Sequence, residues 1–195
     1  MIFATMEDIK GLNDPPIVGD TFDELLDVYM NSIGVTFENF CNRKFLLNTY
    51  TEYHTGSGEY LFVMETPVRQ VNNIWIDWDS EFEDNDLLLP TDYKVLDDGK
   101  IWSLLFPTNV GNSAKNIKIE YEGGYDPIEV LNGEFPVPYD LKLAFIRQVQ
   151  YDIKRRKDIG LTSVTFKDGN INKMPLVELL PQVEATLNYY RYINI

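Results

Sequence analysis

The densest set of side chains able to bind a ligand is a run of carboxylates, Asp77, Asp79, Glu81, Glu83, Asp84 and Asp86. Alternate members of such a run project to one side of an extended segment and offer oxygen ligands to a hard cation. The turn glycine and closing spacing of a calcium loop are missing, so the run reads as a solvated acidic loop. A glycosidase needs two carboxylates across a cleft, and spacing in so acidic a chain selects no pair. His54 is the only histidine. With no cysteine or motif serine nearby it has no nucleophile to activate, and it reads as an exposed residue beside a turn. The one cysteine, Cys41, shares a helical face with Phe37 and reads as an inert core thiol. Gly56-Ser57-Gly58 lacks the lysine and helix start of a phosphate loop. No catalytic group, metal set or cofactor is expected.

Two features suit a partner better than a substrate. Lys154-Arg155-Arg156-Lys157 is the one concentrated basic stretch, placed at a helix end where it also offsets the dipole. The residues that follow, 158 to 175, carry only Val164, Phe166 and Ile171 as apolar anchors, and a loop of that length is a candidate arm. Tyr189, Arg191 and Tyr192 have the composition enriched at interfaces, whereas Tyr190 fits core spacing. Trp75, Trp78 and Trp102 could serve as stacking platforms of a carbohydrate-binding module; buried strand aromatics are the commoner arrangement.

The elements that must position these residues are helical at both ends and strand-like between. Thr5 and Asp8 cap a short helix over residues 5 to 12, closed by Gly11 and Pro15-Pro16. Thr21-Phe22-Asp23-Glu24 reads as a capping box, followed by Phe22, Leu25, Leu26, Tyr29, Met30, Ile33, Phe37 and Phe40 at helical spacing. A helix over about 21–42 follows, with Arg43 and Lys44 favouring its carboxyl end. From Leu47 to Tyr125 the period shifts toward two. Residues 50–53 and 59–63 flank His54 to Gly58 and predict a hairpin; residues 93–96 and 101–106 flank Asp97-Asp98-Gly99-Lys100 and predict a second. Val68 to Trp78 reads as a long strand, and Ile117, Ile119 and Tyr121 alternate with Lys118 and Glu120 in another. Helices resume at Pro138, with Leu141, Ala144, Phe145, Gln148, Val149 and Ile153 as a stripe, and at Pro181, with Val183, Leu187 and Tyr190 inward. The fold class is α+β: a small helical bundle from residues 1–46 and 136–195, with a mostly antiparallel β subdomain, residues 47–135, inserted.

A chain of 195 residues buries about 70% of its unfolded surface and builds a core without disulfides or metals. The 44% hydrophobic and 13% aromatic content excludes a largely disordered chain, and no apolar run reaches the roughly 20 residues of a membrane helix. Met1 to Glu7 shows no basic leader before an apolar stretch, and a single cysteine agrees with a reducing compartment, so assembly in a cytoplasm is expected. The net charge of -14 is uneven: residues 1 to 97 carry 19 acidic against 5 basic side chains, and residues 98 to 195 carry 12 against 12. Such a field disfavours a nucleic-acid clamp, keeps the protein soluble and suits a surface past which DNA slides.

The order of signals resembles the phage head-tail connector (adaptor) proteins of long-tailed phages and gene transfer agents. The matching pieces are Met6-Glu7-Asp8-Ile9-Lys10, Phe40-Cys41-Asn42-Arg43-Lys44-Phe45, Tyr53 through Gly56-Ser57-Gly58 to Leu61, and Thr66-Pro67-Val68. Tyr121-Glu122-Gly123-Gly124-Tyr125, Pro136 to Ala144, and Leu180-Pro181 with Leu187 and Tyr190-Arg191 complete them. The chain departs from the commoner pattern at Asn42, where a glycine often precedes the arginine, and in the acidic insertion Asp79 to Leu89. The resemblance implies a virion structural protein that forms a ring, dodecameric in such adaptors, under the portal protein. It would extend the DNA channel without sequence-specific binding and present a surface to stopper or tail-completion proteins. Lys154, Arg155, Arg156, Lys157, Val164, Phe166, Ile171, Tyr189, Arg191 and Tyr192 are then the expected contacts to portal or neighbouring subunit, with Asp77, Asp79 and Glu81 expected along the channel. Another neck or tail-completion protein is the alternative within the same class.

Overall fold

The computed structural model describes residues 3–13, 16–56, 58–77, 79, 81–96, 99–107, 115–126, 135–156 and 178–192, and the backbone of 163–165 and 171–173. In chain order the elements are α1 (Met6–Leu12), α2 (Asp23–Cys41), β1 (Asn48–His54), β2 (Tyr60–Phe62), β3 (Val68–Ile76), β4 (Lys94–Val95), β5 (Lys100–Trp102), β6 (Ile117–Gly123), α3 (Tyr139–Arg155), β7 (Ser163–Thr165), β8 (Ile171–Lys173) and α4 (Pro181–Tyr190). The chain is α+β, with helices from both ends and the sheets inserted between them. It divides into two compact units, Met1–Asn42 with Val137–Ile195, and Arg43–Pro136.

In the helical unit, Thr5 opens α1 by a reciprocal cap: Asp8 N–H donates to Thr5 Oγ1 at 3.1 Å and Thr5 N–H donates to Asp8 Oδ2 at 3.0 Å. The capping box expected at Thr21 does not form. Asp23 N–H donates to the Asp20 carbonyl at 3.0 Å, so Thr21 lies in a turn and Phe22 takes the cap position without a side-chain bond. The stripe Leu26, Met30, Ile33, Phe37 and Cys41 is buried, while Leu25 of the expected stripe is exposed. The helix ends at Asn42 in the left-handed region (φ 53°, ψ 40°), a conformation asparagine tolerates better than other side-chain-bearing residues. The rings of Phe3, Phe37 and Phe145 meet at 5.1 to 5.7 Å and form the centre of this core. α1 and α4 each pack against both α2 and α3. Within the segment read as loop, β7 and β8 pair antiparallel, Val164 opposite Asn172. Strands of three residues are too short to show the alternation that marks a strand in sequence.

In the β unit, two antiparallel three-stranded sheets have the orders β1-β6-β3 and β2-β5-β4. The hairpin expected around His54 to Gly58 is therefore absent: β1 pairs with β6, β2 with β5, and the residues between carry the chain from one sheet to the other. Gly56 is needed there for close approach, since a Cβ would lie 2.8 Å from the Pro107 carbonyl oxygen. The hairpin of β4 and β5 forms as expected. Strand β3 ends at Ile76, and Trp78 lies outside the described residues. The inner faces of both sheets share one core, with Leu61 and Ile101 from one and Ile74, Ile117, Ile119 and Tyr121 from the other.

One polar cluster holds the start of this unit. Arg43 donates to Thr66 Oγ1 at 2.9 Å and to the Thr66 carbonyl, and its Nε lies 3.9 Å from Glu65 Oε2. Glu65 Oε2 also accepts the Lys44 N–H at 2.7 Å. Arg43 and Glu65 are both nearly buried, and removing one partner of a buried pair leaves the other desolvated. Arg43→Ala is expected to lower the unfolding free energy by about 3 kcal/mol. Arg43→Lys should recover only part of it, because an ammonium cannot reproduce the forked donation to Thr66. Urea titration followed by tryptophan fluorescence, which reports on Trp75 and Trp102 of this unit, measures both; equal stability of all three proteins would refute it.

Candidate functional site

The basic end of α3 divides into outward and inward members. Lys154 is exposed. Arg155 donates to Tyr151 Oη and lies 5.4 Å from that ring, and Arg156 lies 4.9 Å over the Phe22 ring. These two guanidinium groups pack on their own unit through cation–π contacts. Lys157 and Phe166 lie outside the described residues; Val164 and Ile171 sit on β7 and β8, where the backbone alone is described.

The end of α4 behaves in the same divided way. Tyr189 is 88% exposed, a large aromatic surface left to solvent. Tyr190 is half-buried and its hydroxyl donates to Asp140 at 2.7 Å. Arg191 lies 5.5 Å over the Phe40 ring, and Tyr192 N–H donates to the Cys41 carbonyl at 2.8 Å. Arg191 and Tyr192 thus fasten the end of α4 to the end of α2. An open groove of 540 Å³ beside them is lined by Thr36, Asn39, Phe40, Glu178, Leu179 and Glu184. Among the described residues it holds two carboxylates but no histidine, cysteine or lysine to act with them.

In the acidic segment, Asp77 is buried and works as a turn cap. Its carboxylate accepts the N–H groups of Phe82 at 2.9 Å, Asp79 at 3.1 Å and Glu81 at 2.8 Å. The Phe82 donor, the neighbouring Asp79 carboxyl and the other two amides hold Asp77 well below the usual carboxylate range, while the Asp77 carboxylate pushes Asp79 upward. Asp79 and Glu81 are exposed to solvent, as are Glu83 and Asp84. Among the described residues no three His, Cys, Asp or Glu side chains form a group able to hold a metal ion.

A second polar cluster sits against the β core and was not legible as such. Glu52 accepts the Tyr121 hydroxyl, the Met64 N–H at 3.0 Å and a contact from His54 Nε2 at 2.7 Å. Tyr121 in turn accepts the Glu65 N–H at 2.9 Å. Burial, then the Glu52 carboxylate, push the Tyr121 phenol far above its ordinary range. His54 is half-buried and paired rather than exposed. Glu52 shares the strand phase of Tyr50 and His54; a carboxylate at an inward position of a β-strand is the signal that points to this network. Its atoms are spent joining β1 to residues 64–65, which is a structural use. The two described tryptophans are likewise engaged: Lys118 lies 4.1 Å over Trp75, and Trp102 Nε1 donates to Glu59 at 3.2 Å.

A profile of the family described as Head completion protein matches residues 16–193. Among solved structures, a chain from "Neck of empty GTA particle computed with C6 symmetry" has TM-score 0.57 at 11% identity, covering 99% of this chain and 91% of that one. A chain from "Neck of native GTA particle computed with C12 symmetry" has TM-score 0.53 at 14% identity, covering 90% and 86%. At such identities the likeness is one of fold. No curated protein matches.

The carboxylate of Asp77 generates a pH dependence with a defined sign. Its folded pKa lies below its unfolded value of about 3.9, so its stabilisation is complete above that value and is lost as pH falls through the lower folded one. Asp79, displaced upward, titrates in the opposing sense. In an Asp79→Asn background, Asp77→Ala is expected to lower the urea midpoint at pH 7, with the difference shrinking below pH 4. A difference independent of pH would show that the carboxylate charge has no part in the cap.

Proposed function

The chain belongs to the head completion protein family, and on that premise we propose that it is an adaptor of the virion neck. In this proposal it forms a ring beneath the portal protein, extends the DNA channel and offers the surface to which stopper or tail-completion proteins attach. The observation that carries the reading is the extent of the family match, residues 16–193, which takes in both the helical and the β unit. Neck structures computed with sixfold and twelvefold symmetry share the fold, which supports a ring. The role is structural. The side chains that would otherwise suggest chemistry, His54, Glu52, Tyr121 and Cys41, are occupied in holding strands and helix ends together.

Two surfaces take roles in this reading. Tyr189 and the β7–β8 hairpin, with Val164 and Ile171 on its strands, face the portal or another neck component. The exposed carboxylates Asp79 and Glu81 contribute to a negative wall along the channel. A wall that carries no array of lysines and arginines releases no counterions from DNA and leaves the duplex free to slide.

Mixing the purified chain with portal rings of its own phage and imaging the product tests the reading. An axial ring on the narrow end of the portal is expected; a chain that leaves portal bare and instead retains glycans would sink it. Asp79→Lys with Glu81→Lys should leave ring attachment intact and slow genome ejection several-fold from assembled particles. Ejection at the unmodified rate would remove these two residues from the channel.

A further inference from the structure

Resting on the neck-ring reading, we infer that neighbouring copies meet through two helix faces, the outward face of α3 on one copy and the outward face of α2 on the next, docked antiparallel. By the helical period, the side of α2 opposite its buried stripe carries Leu25, Val28, Ser32, Val35 and Asn39, all exposed. Val28 is 65% and Val35 56% exposed. The side of α3 opposite Leu141, Phe145 and Val149 carries Tyr139, Leu143, Arg147 and Lys154. Tyr139 is 90% and Leu143 42% exposed. Because α2 and α3 pack on each other and α1 and α4 each pack against both, these two faces are left pointing away from one another. A chain with different surfaces on opposite sides associates head-to-tail, and such a contact closes into a ring when its rotation permits.

Charge complements the apolar pattern. Of the four carboxylates of α2, Glu38 is buried and Asp23 pairs with Lys10, which leaves Glu24 exposed and Asp27 half-exposed on a helix with neither lysine nor arginine. The outer face of α3 carries Arg147 and Lys154. Eleven residues separate Glu24 from Val35, and eleven separate Leu143 from Lys154. Docked antiparallel, Glu24 falls level with Lys154 and Val35 level with Leu143, each interval spanning about 16 Å of helix. Arg147 then falls level with Asn31, four residues, about 6 Å along the axis, from Asp27.

One of the levels inside a copy matches the proposed one. There Arg156 sits over Phe22 and Phe37 meets Phe145, so α2 and α3 already run antiparallel. Position 24 pairs with 154 between copies on the same axial level at which 22 pairs with 156 within a copy. With these helices along the ring axis, the Phe22–Arg156 level gives such a contact no axial offset and the Phe37–Phe145 level gives one of four residues, about 6 Å; a contact near zero offset closes where a larger one would climb into a spiral. A single face about 26 Å long and about 10 Å wide is far below the roughly 800 Å² per partner of a stable pair. Copies are thus expected to be weakly associated when free and to close when a portal holds them side by side.

The test uses the full chain on portal rings. Val28→Glu with Val35→Glu alters one face, and Arg147→Glu with Lys154→Glu alters the other. All four positions are exposed, and an unchanged circular dichroism melt confirms folding. Each double variant is expected to lose at least tenfold in ring occupancy. Glu24→Lys with Asp27→Lys should restore rings to the Arg147→Glu, Lys154→Glu chain. In a separate chain, Val35→Cys with Leu143→Cys should give between-copy ladders with a short bismaleimide, the native Cys41 being buried. Normal rings from the double variants, or intact cysteine-bearing rings without ladders, would overturn the helix contact while leaving the neck reading standing. An unmodified chain that never rings portal would overturn both.

Discussion

Arg43 follows a left-handed helix cap by one residue; its terminal nitrogens bind the Thr66 hydroxyl and carbonyl with Glu65 beside them, and its Nε also donates to the Lys44 carbonyl at 3.4 Å. Around that contact three segments are stitched by backbone bonds: Leu47 N–H to the Tyr125 carbonyl, Tyr125 N–H to the Phe45 carbonyl, and Gly124 N–H to the Pro67 carbonyl. The crossing is so close that a Cβ on Gly123 would overlap the Glu65 carbonyl. A Cβ on Gly124 would lie 2.7 Å from the Leu46 carbonyl carbon. The three segments are the entry to β1, the entry to β3 and the exit of β6, and all three strands begin their pairing here, Asn48 and Val68 both opposite Gly123. A one-residue slip would turn Ile117, Ile119 and Tyr121 away from the core. The arginine clamp and the paired glycines therefore set the register on which the β core depends.

This junction also explains why the family resemblance was legible in the sequence. Three of the pieces that carry it, Arg43 to Phe45, Thr66 to Val68 and Tyr121 to Tyr125, look ordinary singly, because each is a helix end, a strand entry or a turn. They converge on one cluster, so their order along the chain is the trace of a single three-dimensional constraint. The departure at Asn42 has the same logic. A position in the left-handed region takes glycine first and asparagine next, so the exchange preserves the cap.

What was not legible shares one physical cause, that partners distant in sequence decide the outcome. Period two in β1 and β2 showed strands, but nothing local told that β1 would choose β6 and β2 would choose β5 instead of each other. Thr21 had the sequence of a cap, and a turn closed by Asp20 displaced it. Glu52 read as one residue of a strand and Asp77 as a member of a solvated acidic loop; their burial follows from hydrogen-bond donors supplied by Tyr121 and Met64 in one case and by a turn of backbone in the other. The basic run at the end of α3 read as one unit of charge, yet two of its members turn onto aromatic rings of their own helical unit. Composition gave the charge of the surface, and contacts chose which charges remain on it.

That selection bears on assembly. A net charge of -14 per copy repels like copies, and at physiological salt the repulsion is screened beyond about 8 Å. Only charges within a few ångströms of an interface then count, and these act mainly on register and wrong-partner rejection rather than on gross affinity. Of the five cations in the first 97 residues, Lys10 pairs with Asp23, Arg43 lies against Glu65 and Arg69 pairs with Asp126, each within its own unit. Lys10 thus covers the first carboxylate of α2, Asp23, and leaves Glu24 exposed, whereas α3 keeps Arg147 and Lys154 outward. In the proposed contact, self-repulsion spread over the whole surface and attraction focused on one helix pair would favour the same behaviour: dispersed subunits in solution, and a defined contact once a template brings the two faces together.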